Sequence, residues 1–599
     1  MNSAICTSVR SFPLKPLAAA VLLIYATGIQ SAPVFQNSLG SNVTVSNPDA
    51  QTTVVVQEGS RAVANWRDFS IEANETVQFL QDNANAVILN RVTGEDTSRI
   101  LGNLQANGRV FLINPNGIVF GANSQVSVNG LVASTLSLKP GMQSNSDEVG
   151  LEINGTAGSI INNGQISAKD ILLIAPTIEN NGTLASNVAN SSVQLLAASE
   201  VTVNTADGNL VFQVMAGHEN ALIEQLGTVM AEGGRIVFLA SASAGGAPSV
   251  INVSNLNQAT QISVQGDSVR LSGDINSTLS NATVEVIARN IAQLNAVSMG
   301  GDVVLNADSV DLQNAQNDFS DKVTLNVTGQ LSLSDSNSLD IQGVAEDATL
   351  NAGESILVNG FHVNNHLRID AGTEASLGDL SANSLSINTQ SVSQIQNTSV
   401  DVSAGSNLTA NRVTLGNSEN RFNGVVDLAV EGQATLHASQ SLTVTGEAGQ
   451  AVLTGDHVVL GELNTGRLHV EASELSQLGN DALTVGGTTT VLADSVTLNQ
   501  DSNRFSGLVS LDVSSQTELR GSGRLEVAGQ VNNALLQADN LVLSGVNAEG
   551  NLSLVANPIG QTACLIVPGN TTIQNTSAVN LDSSNDFVGL VTLAGADLA

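Results

Sequence analysis

The sequence predicts an all-β chain wound as a right-handed parallel β-helix, a solenoid with an N-terminal cap. Three observations carry that reading: alternation at period two, a long internal repeat and a scarcity of large rings. Alternation runs through Val43-Thr44-Val45, Val126-Ser127-Val128, Val201-Thr202-Val203, Leu331-Ser332-Leu333 and Leu442-Thr443-Val444. Each run soon meets Gly, Asn, Asp or Ser. Successive side chains of a strand point to opposite faces, so this pattern reads as short strands between turns. Pro occurs only 10 times in 599 residues, which suits strands that donate hydrogen bonds on both sides. Gly and Asn fit the turns, because both tolerate left-handed backbone angles.

The repeat fixes the architecture. Asp308-Ser309-Val310-Asp311-Leu312 leads to Asn317-Asp318-Phe319, and Asn411-Arg412-Val413-Thr414-Leu415 leads to Asn420-Arg421-Phe422. Asp494-Ser495-Val496-Thr497-Leu498 leads to Asn503-Arg504-Phe505, and Ser577-Ala578-Val579-Asn580-Leu581 leads to Asn585-Asp586-Phe587. Similar strands follow: Val323-Thr324-Leu325, Val426-Asp427-Leu428, Val509-Ser510-Leu511 and Val591-Thr592-Leu593. The first Phe-to-Phe step exceeds the next two by about 20 residues, a reasonable size for one solenoid coil. The repeats are therefore read as superrepeats of about four coils, with one coil added to the first. A coil of that size holds three short strands and their turns. Coils stack at ~4.8 Å, so roughly 570 mature residues give about 28 coils and a rod of about 130 Å. A string of β-sandwiches would want Pro-rich linkers and more core aromatics.

Composition sets the limits on function. Hydrophobic residues make up 42%, too many for wholesale disorder. Aromatics make up 3%, too few for an ordinary globular enzyme core. Columns of Val, Leu, Ile and Ala replace them, and stacked Asn can form amide ladders. Asp and Glu number 54 against 20 Lys and Arg, a net charge of −34. That sign opposes binding to nucleic acid or anionic lipid, which both need clustered cations.

Residues 1–32 read as a secretory signal peptide. Arg10 and Lys15 precede the apolar run Leu17 to Ile29, and small residues follow. Its removal leaves Cys564 as the single cysteine, so no internal disulfide can form. No later stretch approaches the ~18 apolar residues of a membrane-spanning helix.

The densest pattern lies between residues 60 and 137. It includes Ala64-Asn65-Trp66-Arg67-Asp68-Phe69-Ser70-Ile71, Glu75-Thr76-Val77-Gln78-Phe79, and Leu89-Asn90-Arg91-Val92-Thr93-Gly94. Ile100-Leu101-Gly102-Asn103-Leu104 and Gly108-Arg109-Val110-Phe111-Leu112-Ile113 then run into Asn114-Pro115-Asn116-Gly117-Ile118-Val119-Phe120-Gly121. Gly130-Leu131-Val132-Ala133-Ser134-Thr135-Leu136 closes the stretch. It resembles the N-terminal secretion domain of the filamentous haemagglutinin family, the exoproteins of bacterial two-partner secretion. The family's Asn-Pro-Asn-Gly-Ile motif stands at Asn114 to Ile118. Similar coils, such as Gly233-Gly234-Arg235-Ile236-Val237-Phe238, extend the domain over residues 33–275. The second Asn-Gly motif expected of the family is not clearly present; its nearest candidates are Asn162-Asn163-Gly164 and Asn180-Asn181-Gly182.

By its residues alone, the motif is a tight turn between strands Val110–Ile113 and Ile118–Phe120. Pro115 fixes its own φ, and Asn116 and Gly117 are expected to supply positive angles. It either only shapes the first coils or also forms part of an address read by a transporter. Trp66 is expected to plug the core beneath the cap, with Phe69, Phe79, Phe111 and Phe120 as further cap and core candidates.

The resemblance implies the partner and route. The partner is a dedicated outer-membrane β-barrel transporter whose periplasmic domains receive the N-terminal domain. The destination is the medium or the outer surface of a Gram-negative bacterium. Residues 276–599 are read as a β-helix repeat region, truncated because the fourth superrepeat starts at Ser577 and stops at Ala599. Outside the cell, the expected role is a haemagglutinin-like adhesin, with an unspecified receptor on host cells, bacteria or a matrix. The alternatives are the stalk of a contact-dependent toxin or haemolysin, or a polysaccharide-active enzyme. An enzyme would need clustered carboxylates on one face, and the acids here are scattered. No catalytic residue, cofactor or metal ligand is assigned. His362 and His366 are read as surface imidazoles, because their spacing of four converges on a helix but not in a strand-turn segment. Triplets such as Asn326-Val327-Thr328 are expected by chance in so Asn-, Ser- and Thr-rich a chain.

Overall fold

The computed structural model describes residues 33–39, 42–141, 146–186, 188–206, 210–276, 281–575 and 579–595. The expected signal peptide, residues 1–32, and Ala599 lie outside them, as do Ser577 and Ala578, where the fourth superrepeat is read to begin. The described chain is a parallel β-solenoid of about 26 turns without an α-helix. One coil shows the plan. Ser98–Ile100, Asn103–Ala106 and Arg109–Ile113 pair in parallel with Ile118–Phe120, Gln125–Ser127 and Gly130–Ser134 of the next coil. Those three strands pair in turn with Ile160–Asn162, Gln165–Ser167 and Asp170–Ile174.

The inward side chains stack in columns. Leu104, Val126, Ile166, Leu184 and Val229 occupy equivalent positions of successive coils, and all are buried. Burying each such side chain is worth about 1.5–3 kcal/mol. Asn162, Asn180 and Gln225 form a second, polar column. Asn162 Nδ2 donates to Asn180 Oδ1 at 2.6 Å, and Asn180 Nδ2 donates to Gln225 Oε1 at 2.8 Å. All three are fully buried, so the ladder satisfies amides that would otherwise cost about 1–3 kcal/mol each.

The turn beside this ladder is built from stacked glycines. A Cβ on Gly182 would lie 2.1 Å from the carbonyl oxygen of Gly164, and one on Gly227 would lie 2.0 Å from that of Gly182. Backbone meets backbone here, so no side chain can swing aside. Gly182→Ala is therefore expected to destabilise the rod by about 1–3 kcal/mol. Chemical denaturation of the mature chain, followed by circular dichroism, reads that loss; an unchanged midpoint would contradict the stacking.

The N-terminal end is closed by antiparallel strands. Val34–Leu39 pairs with Arg61–Asp68, and Val43–Ser46 pairs with Thr52–Gln57. The cap covers an end that would otherwise offer an open edge for pairing.

One element departs from the sequence reading. Ser137–Leu138, Glu148–Glu152, Glu200–Asn204 and Val211–Ala216 form a separate four-stranded antiparallel sheet. The chain leaves the solenoid twice to build it, so Leu131 pairs with Ile171, and Val193 with Ile236. These two coils consume about twice the usual length, which helps explain why there are about 26 turns rather than about 28. The sheet covers the outer face of one solenoid side. Val149, Leu151, Val201 and Val203 pack there with Phe111, Ile113, Val132, Leu172, Ile174 and Leu196 in a second core.

In the C-terminal repeats, the Asn of each Asn-x-Phe motif is a hydrogen-bonding centre. Asn317, Asn420, Asn503 and Asn585 pair with Gln293, Gln394, Gln477 and Gln561. In every copy the two amides exchange two hydrogen bonds of 2.6–3.2 Å. The Asn Oδ1 also accepts a backbone N–H of the preceding coil. The donors are Val297, Val400, Leu483 and Leu565, at 2.8–2.9 Å.

Candidate functional site

The Asn114–Ile118 segment links the strands Arg109–Ile113 and Ile118–Phe120. Gly117 N donates to Asn114 O at 3.1 Å, which closes a four-residue turn. Pro at its second position and Gly at its fourth suit the commonest turn geometry. Of the motif's residues only Gly117 takes a positive φ, +117°. The expectation of a positive angle at Asn116 is thus corrected: the turn needs the left-handed region only after its third residue.

The motif is tied to the coils on both sides. Asn114 Nδ2 donates to Asp96 O at 2.9 Å and to Ser98 Oγ at 3.0 Å, and Asn114 Oδ1 accepts Asn116 N at 3.0 Å. Asn116 Nδ2 donates to Gly94 O at 2.8 Å, and Thr97 Oγ1 donates to Asn116 O at 2.9 Å. Toward the following coils, Asn114 N donates to Ser134 O, Gly158 N to Pro115 O and Ile118 N to Ser159 O. Asn114 and Ile118 are fully buried, Pro115 is half-buried, and Asn116 is exposed. The folded motif therefore spends its polar groups on its own chain. The fixed partners Gly94, Asp96, Ser98, Gly158 and Ser159 were not foreseen, because all but the Ser98 hydroxyl are backbone groups, which leave no residue-type signature.

The structure gathers three of the five aromatic candidates. Trp66 meets Phe69 edge-on at 5.1 Å, and Phe69 stacks on Phe79 at 6.3 Å. Phe35 of the cap meets Trp66 edge-on at 5.2 Å. Trp66 is fully buried, and its Nε1 donates to Asn90 Oδ1 at 2.9 Å. Asn90 Nδ2 in turn donates to Phe111 O at 3.2 Å. Phe120 lies in the main core apart from this cluster, and Phe111 faces the second core under the outer sheet.

A buried ion pair stands beside these strands. Arg109, 1% exposed, lies 4.0 Å from Asp170, which also accepts Ser192 Oγ at 2.9 Å. Burial pulls the Arg109 pKa down from its ordinary value, and the Asp170 charge opposes that. On the outer sheet, Lys139 pairs with Glu200, which raises the lysine pKa and joins the edge Ser137–Leu138 to a strand two positions away. The first pair joins two coils of the solenoid, and the second ties strands of the outer sheet.

His362 and His366 lie on the strand Ser355–Ala371. His362 Nδ1 bonds Ser381 Oγ, and His366 Nδ1 bonds Ser384 Oγ at 2.8 Å. Each ring is thus held by its own serine in the next coil. Among the described residues, no cluster of three or more His, Cys, Asp or Glu is placed to hold a metal ion.

Comparison with known proteins adds matches to two family models. Residues 32–286 match the model of the TPS secretion domain. Residues 267–326, 364–429, 448–512 and 528–594 match a model described as repeats of unknown function. Each of these four stretches contains one Gln–Asn pair. A heme/hemopexin-binding protein of Haemophilus influenzae is 29% identical over 234 residues, covering 37% of this chain and 25% of that protein. A second Haemophilus influenzae protein of that name is 36% identical over 107 residues, covering 18% of this chain and 12% of that protein. The aligned stretches thus span a quarter or less of the curated relatives. The crystal structure of the HMW1 secretion domain from Haemophilus influenzae aligns at 22% identity and a TM-score of 0.35, covering 66% of this chain and 99% of that one.

Proposed function

This chain carries a TPS secretion domain at residues 32–286, and we propose that it is a secreted or surface-held exoprotein whose rod acts as an adhesin. A TPS secretion domain implies an outer-membrane transporter as partner. The chain crosses the inner membrane behind its signal peptide and meets the transporter's periplasmic domains while extended. Extended backbone can add to a sheet edge, a common mode of peptide recognition. The burial of Asn114 supports an extended state at that step, since the folded turn leaves its amide nothing to offer a reader. Outside, each finished coil presents an edge on which the next one pairs, so folding can propagate along the rod.

The observation that carries the adhesin reading is the union of this domain with a long, acidic, polar-faced solenoid. Such a body displays extended surfaces. The curated relatives are named for binding. The test is adherence. Cells producing the chain and its transporter should attach to epithelial cells, to a matrix or to one another more than cells lacking the chain. Equal attachment on all three surfaces would remove the adhesin role and leave the export reading standing.

A further inference from the structure

The four Gln–Asn pairs do more than fill polar positions. Each Gln belongs to one coil and each Asn to a later one, 24 or 26 residues on. The Asn Oδ1 reaches back to a backbone N–H of the preceding coil: Val297, Val400, Leu483 or Leu565. In three copies the Gln Oε1 also accepts the N–H of the turn residue Asn314, Asn417 or Gln500. Asn317, Asn420 and Asn503 are fully buried. Until both coils are in place, the Gln Oε1, the Asn Oδ1 and that backbone N–H lack these partners. Once both are in place, all are bonded together. Elsewhere in the repeat region coils are joined by backbone ladders, by columns of Val and Leu and by single side-chain bonds such as Phe319 N to Asp335 Oδ2 or Asn551 N to Asn533 Oδ1.

We infer that these pairs are latches that divide the repeat region into cooperative units bounded at Asn317, Asn420, Asn503 and Asn585, each folding and unfolding as a block. The first unit holds the additional coil and is the longest. Within a unit the coils depend on one another; between units a closed latch halts the spread of unfolding. The inference concerns the rod itself and stands whether or not the export reading does.

Pulling single molecules of the mature chain by its two ends tests it. Extended chain spans about 3.3–3.6 Å per residue, and each coil gives up ~4.8 Å of rod. The expected record contains one length increment of about 330 Å and two of about 260 Å from the repeat region. Asn503→Ala opens the boundary between the two shorter units and should fuse their increments into one of about 520 Å. Gln477→Ala breaks the same latch from the other side and should give the same fusion. Increments clustering near 65 Å, the length of single coils, would overturn the inference. So would a single release of the whole region, or variants that keep the three separate increments.

Discussion

Replacing Trp66 with alanine is expected to lower the stability of the mature chain by about 3–5 kcal/mol, the usual cost of emptying a large aromatic site. Three consequences combine. The void opens between Phe35 and Phe69, whose edges pack on the indole. The antiparallel pairing of Val34–Leu39 with Arg61–Asp68 loses its anchor, since Phe35 and Trp66 are register partners. Asn90 Oδ1 loses its buried donor, which adds a desolvation cost of about 1–3 kcal/mol. Trp66→Phe separates these effects: it keeps an aromatic ring in the cluster and loses the hydrogen bond. Its loss should fall well below that of Trp66→Ala. Denaturant midpoints read by circular dichroism check both variants. Equal midpoints for wild type and Trp66→Ala would show that the cluster does not hold the cap.

Asn114→Ala is expected to cost about 1–3 kcal/mol, because it empties a fully buried site and removes three hydrogen bonds, one of them to the buried Ser98. Asp96 O and Ser98 Oγ lose a donor, and Asn116 N loses its acceptor. Ser98 is buried and bears the full cost of about 1–3 kcal/mol, whereas Asp96 and Asn116 are exposed and can turn to water. Asn114→Asp retains the acceptor but removes the donors and introduces a charge into a fully buried site. It should be no milder. Measuring stability and export together separates the two readings of the motif. If the turn only shapes the coils, the amount in the medium follows the loss of stability across a series of cap variants that includes Trp66→Phe. If the transporter reads the segment, export by Asn114→Ala falls below that line.

The fold was legible because the solenoid writes itself into the sequence one rung at a time. Val126 sits over Leu104 and under Ile166, and each lies in its own short alternating run. The Asn-x-Phe repeat marked the coils again, and the Asn162–Asn180–Gln225 column matches the expected amide ladder. The outer sheet was missed for a physical reason. Its strands lie in two long excursions, and nothing in period-two patterning says which surface an excursion will cover. The signal was there in Val110-Phe111-Leu112-Ile113 and Ile171-Leu172-Leu173-Ile174, which are apolar without alternation. Strands that read that way are buried on both faces, and something must lie over them. The latch glutamines were missed because Gln293 or Gln477 looks like any surface amide. Only the coil spacing brings it to its Asn. At Asn114 the sequence showed the turn, while its partners on residues 94–98 and 158–159 emerged from the stacking of coils.

Transport of a passenger tests whether residues 33–286 direct export. A reporter without its own outer-membrane route, fused behind residues 1–286, is produced in a Gram-negative host with and without a two-partner transporter. The account predicts reporter in the medium only with the transporter, and none with it when residues 33–286 are deleted behind the signal peptide. Equal release with and without the transporter, or undiminished release after the deletion, would contradict it.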